Sequence, residues 1–310
     1  MFHRLVQGLF LKTHHNHTAM IRNIQDEITN NFRTYLTQLG YSESSVYMLP
    51  NCVKDFLEYH NATDPGTLVI SHINQFYEHL QNRPQKRKAE ALSEQYINHH
   101  VYALKVFFNW LEQSGQIKYN PISVMKFKQP KPNPREPLTQ SEINQLFESC
   151  TTRRETALLH IFYSCGLRRS EGEALNIQDI HFRQNLLYVR EGKGAKRRVI
   201  PMTGKVSGAL ESYFLSERVK QKNAKDQEAF MLNKVGERMR GDSYNKLLKT
   251  ILQRTELNQE YTLHHLRHSI ATHLLESGVS IEFVRDFLGH SHLEATQIYA
   301  KVKQYQLKKL

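Results

Sequence analysis

Six residues of cationic, titratable or phenolic type are spaced along the second half of the chain, and these residue types could carry chemistry. They are, in chain order, Arg168, Lys193, His264, Arg267, His290 and Tyr299. Guanidinium and ammonium groups bind anions, an imidazole can transfer protons, and a phenol can act as a nucleophile. His264 and Arg267 are three positions apart, so both side chains lie on one face of a helix. Taken singly, each residue also has an ordinary structural explanation, such as a surface ion pair between Arg168 and Glu171.

Two other kinds of catalytic site are not indicated. His264 and His268 stand at i,i+4 as zinc ligands can, but position 265 holds His rather than the Glu of an HExxH motif. The segment GKGAK at 192–196 lacks the spacing and the Ser/Thr of a phosphate-binding P-loop. The three cysteines form no CxxC pair, which predicts reduced thiols and a cytoplasmic protein. We therefore expect no metal, no ATP and no other cofactor.

A proline-rich segment at 129–137 divides the chain. Its sequence, QPKPNPREP, cannot continue a helix and favours an extended strap. Thr139 and Glu142 follow it directly as a Thr-x-x-Glu capping box, which opens a helix. The predicted divisions are a leader or frayed first helix over 1–20, a helical domain over 21–128, a linker over 129–137 and a second domain over 138–310.

Upstream of the linker, apolar residues recur at helical spacing. The clearest stripe consists of Ile97, Val101, Leu104, Phe108 and Leu111. The predicted helices lie near 24–39, 44–59, 68–80 and 97–111. Four helices of this length predict a small all-α bundle.

Downstream of the linker, the pattern is mixed. Strands at 186–191 and 197–201 flank the glycine-rich segment and predict a hairpin with Lys193 at its tip. Gly289 stands where the C-terminal cap of a helix belongs. The predicted helices lie near 140–149, 153–165, 169–177, 205–218, 241–254, 262–277, 280–288 and 293–300. The expected fold class is mainly α with a small β-hairpin or sheet (α+β).

The charge balance favours a polyanionic partner. The chain has 42 Lys+Arg against 30 Asp+Glu, a formal net charge of +12. Such an excess is typical of proteins that meet nucleic acid or an acidic membrane face. No apolar run is long enough to span a bilayer. A loop with Arg83, Lys86, Arg87 and Lys88 is either a solvated connector or a contact with a phosphate backbone.

The order and contexts of the six candidate residues resemble the tyrosine recombinases, in their Xer-type and phage-integrase branch. The contexts that carry the resemblance are GLRRSE, GKGAKRRVIP, LHHLRHSIATHLLESG and FLGHSHLEATQIYA. The resemblance covers about residues 138–302, roughly half the chain. The N-terminal half is similar in architecture only, to the four-helix, SAM-like core-binding domain of that family.

This resemblance implies an active site with Glu171 supporting the first arginine. The implied catalytic residues are Arg168, Lys193, His264, Arg267, His290 and Tyr299. Tyr299 would attack a DNA phosphodiester, form a 3′-phosphotyrosyl link and release a 5′-hydroxyl. Lys193, or Lys196 in a shifted hairpin register, would protonate the leaving oxygen. Fixed guanidiniums would stabilise the transition-state charge, so no metal would be required. The covalent link would store the bond energy, so rejoining would need no ATP.

The resemblance also implies the partners. The DNA partner would be a double-stranded recombination site, on which four protomers exchange strands through a Holliday junction, alone or with a second recombinase. A simple Xer, invertase or small-transposon type is favoured. The expected DNA-binding residues are Arg83, Lys86, Arg87, Lys88, Lys196, Arg197 and Arg198. Two alternatives stay open at this point: a catalytically inactive DNA-binding regulator of the same fold, and a type IB topoisomerase-like enzyme that relaxes DNA.

Overall fold

The computed structural model describes residues 2–84, 91–128, 136–190, 197–221 and 223–289, with side chains from residue 18 onward. The chain divides into two compact units between Asn133 and Pro134, inside the proline-rich segment. The described part of the first unit is helical, and that of the second combines helices with a small three-stranded sheet. The predicted fold class is confirmed. None of the described helices has both the length and the apolarity needed to cross a membrane.

The N-terminal unit contains the four helices that the apolar stripes predict. They are α1 (Phe2–Gln38), α2 (Glu43–Tyr59), α3 (Ile70–Asn82) and α4 (Glu94–Gln113). Ser42 and Ser93 begin α2 and α4, because each side chain accepts a hydrogen bond from a backbone N–H of the first turn. Residues 2–20, expected as a leader or frayed helix, are the continuous start of α1.

The core of this unit is aromatic. Phe32 of α1 and Phe107 of α4 meet edge to face, with ring centroids 5.3 Å apart. Phe56 of α2 packs in the same way on Phe76 of α3, at 5.2 Å. The predicted stripe on α4 is buried along its whole length. The helices are thus held by the faces that their apolar spacing indicates.

The second unit begins with the capping box. Thr139 Oγ1 accepts from the Glu142 N–H at 3.2 Å, and Glu142 Oε2 accepts from the Thr139 N–H at 2.7 Å. The helices that follow are α5 (Gln140–Glu148), α6 (Arg153–Leu159), α7 (Arg169–Ala174), α8 (Gly204–Tyr213), α9 (Gly241–Leu252), α10 (Leu263–Glu276) and α11 (Ile281–Leu288). The predicted helix at 293–300 lies outside the described residues.

A small antiparallel sheet lies between α7 and α8 in the chain. Its strands, in spatial order, are β1 (Ile180–His181), β2 (Leu186–Val189) and β3 (Arg198–Pro201). Leu187 pairs with Ile200 and Val189 with Arg198. The three apolar residues of these pairs are buried, so Arg198 shares the inward face of the sheet. The glycine-rich tip of the hairpin lies outside the described residues.

The local structure differs from the prediction at the first strand, in two π-helical turns and in α7, which ends at Ala174 instead of near 177. β1 was not predicted, because a strand of two residues carries no periodic signal. The predicted helices at 153–165 and 205–218 each end in a π-helical turn, His160–Ser164 and Phe214–Arg218. A π-helical turn changes the rotation of the chain that leaves the helix, and the first of these turns precedes Arg168.

Candidate active site

Arg168 lies where the chain reverses between α6 and α7. After the π-helical turn, Gly166 adopts a φ of +58°, a conformation that favours glycine. A Cβ at this position would stand 3.0 Å from Leu288 Cδ2, so α11 approaches this turn closely. Leu167 is buried, and Arg168 then takes the N-cap position of α7, with its side chain 20% exposed.

Glu171 lies at the centre of the site, with its side chain 1% exposed. Its carboxylate accepts from Arg168 twice, from Nη1 at 2.7 Å and from the backbone N–H at 2.8 Å. Arg198 forms a fork on the same carboxylate, with Nη1 2.9 Å from Oε1 and Nη2 2.8 Å from Oε2. Arg267 Nη1 is 3.7 Å from Oε2. One buried carboxylate therefore contacts three guanidiniums.

Arg267 comes from the second turn of α10. Thr262 begins this helix, and its N–H donates to His265 Nδ1 at 3.1 Å. The Arg267 side chain is 6% exposed. Its guanidinium donates to the backbone carbonyl of Gly166 and, at 2.6 Å, to that of Leu288. Arg267 thus ties α10 both to the reversal before Arg168 and to the end of α11.

The C-terminal end of α11 receives one hydrogen bond from each of the three arginines. These bonds run from Arg198 Nε to Phe287 O (2.9 Å), from Arg267 Nη2 to Leu288 O (2.6 Å) and from Arg168 Nη2 to Gly289 O (2.8 Å). The last carbonyls of a helix lack intrahelical donors and carry the negative end of its dipole, so cations bind well there. Gly289 ends α11 with a φ of +65°. The next residue is His290, so this cluster fixes the point from which that segment departs.

The electrostatics of the cluster favour an anionic ligand. Burial raises the pKa of Glu171, but the hydrogen bonds and charge of Arg198, the Arg168 N–H and the charge of Arg267 together lower it to about 2. Glu171 is therefore ionised at neutral pH, and the guanidiniums stay protonated. One carboxylate against three guanidiniums leaves a formal excess of two positive charges. The partly exposed Arg168 gives an anion access to this charge.

Of the remaining predicted catalytic residues, one lies on α10 and the others lie outside the described ranges. His264 is exposed in the first turn of α10, three positions before Arg267. Four predicted residues lie outside the described ranges: Lys193, Lys196, His290 and Tyr299. The structure therefore brings Arg168, Glu171 and Arg267 together and places His264 on the same helix as Arg267.

The residues expected to bind DNA have varied surroundings. Arg197 is exposed. Arg83 donates from Nη2 to Asp55 Oδ2 at 2.7 Å, and the same oxygen lies 3.3 Å from Nε2 of the buried His100. Burial opposes the charged form of His100, yet the hydrogen bond to Asp55 raises its pKa to about 9. The other expected residues of this loop lie outside the described ranges: Lys86, Arg87 and Lys88.

Arg198 has a different position from the one that the sequence analysis expected. Its side chain is 9% exposed and lies inside the domain, bonded to Glu171 and to α11, instead of on a DNA-facing surface. A signal for this position was present in the sequence. Side chains alternate between the faces of a strand, so Arg198 must share the face of the apolar Ile200, whereas Arg197 and Val199 face outward.

Comparison with known proteins gives the class to which this fold and site belong. Residues 136–305 match the family described as the phage integrase family, and residues 28–117 match the N-terminal SAM-like domain of phage integrases. The first match alone spans more than half of the chain. The chain therefore belongs to the phage integrase family.

Individual relatives show which type of phage integrase the chain resembles. Tyrosine recombinase XerC of Oceanobacillus iheyensis is 35% identical over 227 residues, which are 71% of this chain and 74% of the relative. Tyrosine recombinase XerD of Listeria monocytogenes is 29% identical over 296 residues, 92% of this chain and 97% of the relative. The protein is a site-specific tyrosine recombinase of the Xer-like type, an enzyme that transfers DNA strands. These relatives favour neither the inactive regulator nor the topoisomerase.

A solved structure supports the fold. The integrase of transposon Tn1549, in complex with circular intermediate DNA, superposes with a TM-score of 0.67 at 21% identity, over 88% of this chain and 94% of that chain. At this level of identity, the likeness concerns the arrangement of the helices and the sheet.

Proposed function

We propose that this recombinase cuts and rejoins duplex DNA through a covalent 3′-phosphotyrosyl intermediate, with Tyr299 as nucleophile. Arg168 and Arg267 bind the scissile phosphate. The observation that carries the proposal is the Glu171 cluster, in which three guanidiniums surround one carboxylate and Arg168 stays partly exposed. The transition state of a phosphodiester gains charge on its nonbridging oxygens. Cations held in place therefore stabilise the transition state more than the ground state.

The other groups complete the reaction. Tyr299 Oη gives up its proton to a base or to water and bonds to phosphorus while the bond from phosphorus to the 5′-oxygen breaks. Lys193, or Lys196 in a shifted register, gives that 5′-oxygen a proton. A phenol has an ordinary pKa of about 10, so Tyr299 needs a base or nearby positive charge to react. His264 and His290 donate hydrogen bonds to the phosphate. In the reverse step, another strand's 5′-hydroxyl gives its proton to the deprotonated lysine and bonds to phosphorus, while the bond from phosphorus to Tyr299 Oη breaks and the phenol takes up a proton. Each step exchanges one phosphoester bond for another, so no ATP is required, and the fixed arginines stabilise the charge without a metal.

The partner is a double-stranded recombination site, and the net charge of +12 supports it. Phosphate contacts position the protein on the duplex. The contact residues in this proposal are Arg83, Lys86, Arg87, Lys88, Lys196 and Arg197. Four protomers assemble on two paired sites in the cytoplasm and exchange strands through a Holliday junction, as a mobile-element or Xer-type recombinase does.

The test is covalent capture on a nicked suicide substrate in EDTA, with wild type, Tyr299→Phe and the control Tyr47→Phe. Tyr47 is 71% exposed in the N-terminal unit. Wild type and Tyr47→Phe should give a protein–DNA adduct, whereas Tyr299→Phe should bind the DNA and give none. An adduct with Tyr299→Phe means that another residue is the nucleophile. No adduct with wild type, or one that needs a divalent metal, contradicts the mechanism.

A further inference from the structure

Arg198 joins three parts of the catalytic domain. It stands at the start of β3, its two Nη atoms hold both carboxylate oxygens of Glu171 on α7, and its Nε donates to Phe287 O at the end of α11. Its side chain is 9% exposed. Arg198 therefore ties the sheet to the arginine cluster.

The fork from Arg198 fixes the orientation of the Glu171 carboxylate. A bidentate arginine–carboxylate pair holds both groups in one plane. The two oxygens that accept this fork also accept from Arg168, one from its guanidinium and one from its backbone N–H. Without the fork, Arg168 and Arg267 alone among the described residues hold the carboxylate, so its plane is less fixed and the guanidinium of Arg168 can shift with it. Among the causes that lower the pKa of Glu171 against its burial, the hydrogen bonds from Arg198 come first.

Arg198 also aligns the end of α11. The three arginines bond to three successive carbonyls, and Arg198 takes the first of them. A Cβ at Gly289 would lie 2.9 Å from Arg198 Nη1, so the chain leaves α11 in direct contact with this guanidinium. A shift of Arg198 therefore moves the carbonyls to which Arg168 and Arg267 are anchored.

We propose that Arg198 is a positioning residue for strand cleavage, an inference that rests on the proposed function. It fixes the Glu171 carboxylate and the end of α11, so that Arg168 and Arg267 present their donors to the scissile phosphate. Arg198 itself does not contact the phosphate. Lysine in its place keeps the charge but cannot form the fork.

A second route by which Arg198 could act has to be separated from this one. Val189 and Arg198 are the last pair of β2 and β3, and the segment of the chain that joins these strands contains Lys193. A change at Arg198 could then displace the proton donor instead of the arginines. The two routes differ in chemistry, because a proton donor acts on the leaving oxygen and the arginines act on the nonbridging oxygens.

The experiment uses the full-length protein with Arg198→Lys and, as a matched control, Arg218→Lys. Arg218 is also buried, 4% exposed, and donates to backbone carbonyls of the 226–229 segment, apart from the Glu171 cluster. At saturating protein on the nicked substrate, Arg198→Lys should form the adduct about 10- to 100-fold more slowly than wild type, the scale expected for misplaced groups. Arg218→Lys should cleave at the wild-type rate.

Two controls accompany the rates. The DNA affinity of both variants should stay at the wild-type level, and the rates are compared at a temperature at which circular dichroism shows that both variants are folded.

Two modified substrates distinguish an effect of Arg198 on the arginines from an effect on the proton donor. With sulfur in place of the bridging 5′-oxygen, the thiolate leaves without a proton, so a defect in the proton donor disappears. With a methylphosphonate at the scissile position, one anionic nonbridging oxygen is absent, so a defect in the arginines shrinks. For Arg198→Lys we expect the deficit to persist on the sulfur substrate and to shrink on the methylphosphonate.

Three results would overturn the proposal: wild-type cleavage by Arg198→Lys, an equal loss in Arg218→Lys, or full recovery on the sulfur substrate. If folded wild-type protein forms no adduct on any substrate, the proposed function itself fails and this inference fails with it. A normal wild-type adduct combined with one of the three results removes only the role of Arg198.

Discussion

Two buried glutamates of the catalytic domain, Glu155 and Glu171, have similar local contacts but differ in the net charge of the groups around them. Each lies in the first turn of a helix, accepts a hydrogen bond from a backbone N–H and forms a bidentate ion pair with an arginine. Arg254 holds Glu155 with distances of 2.8 and 2.9 Å, and the Thr151 N–H adds a bond of 2.8 Å. The corresponding bonds of Glu171 to Arg198 and to the Arg168 N–H measure 2.8 to 2.9 Å.

The difference lies in how many cations surround each carboxylate. In the described part of the chain, Glu155 forms an ion pair with Arg254 alone, so the net charge of the pair is zero. The Arg254 side chain is 34% exposed, so water reaches the pair. Glu171 contacts three guanidiniums that are 20% exposed or less. The same bidentate pair therefore stabilises the start of α6 at Glu155. At Glu171 it is part of a cluster with an excess of positive charge that can bind an anion.

The largest expected effect is on cleavage. Arg267→Lys should lower the rate of adduct formation about 10³-fold, the lower range for losing an arginine that stabilises a phosphoryl transition state. Arg254→Lys, the matched change at Glu155, should leave the rate unchanged. Single-turnover cleavage of the nicked substrate measures both. Equal rates for the two variants would mean that the excess charge at Glu171 has no part in catalysis.

The next effect is on stability. Glu171→Gln should lower the free energy of unfolding by about 3–5 kcal/mol, because it leaves buried guanidiniums without their counter-ion. Glu155→Gln should cost less, since Arg254 can turn to water. Urea unfolding followed by circular dichroism reports on both units, whereas the single tryptophan, Trp110, lies in the N-terminal unit. If Glu171→Gln shifted only the unfolding transition seen by Trp110 fluorescence, the loss of stability would not come from the Glu171 cluster.

The smallest effect is the pH dependence of the stability difference between wild type and Glu171→Gln. The pKa of Glu171 is lowered to about 2 from an ordinary 4.5, so its ion pairs contribute fully above pH 4.5 and are lost as the pH falls towards 2. The stability gap between wild type and Glu171→Gln should therefore shrink between pH 5 and about pH 3. It should stay constant on the alkaline side, because guanidiniums do not titrate there. Urea midpoints across this range measure the gap, and a gap that is unchanged at pH 3 would show that Glu171 is not the group involved.

Much of the fold follows from patterns that are local in the sequence. The stripe ending at Leu111, the capping box at Thr139 and the glycine that ends α11 all correspond to observed elements. β1 did not follow, because its two residues are selected by pairing with Leu186 and Leu187 rather than by periodicity. The π-helical turn before Arg168 likewise depends on packing, since its sequence reads as ordinary helix.

The sequence by itself determined the family, the helical domains and the order of the residues proposed for cleavage, because motifs and apolar periods are properties of neighbouring positions. Only the tertiary structure decided that Arg198 is the third guanidinium on Glu171 and that three successive carbonyls of α11 receive the three arginines. These partners are separated by up to 121 positions in the chain. Their meeting depends on how α7, β3, α10 and α11 pack, which no local pattern records.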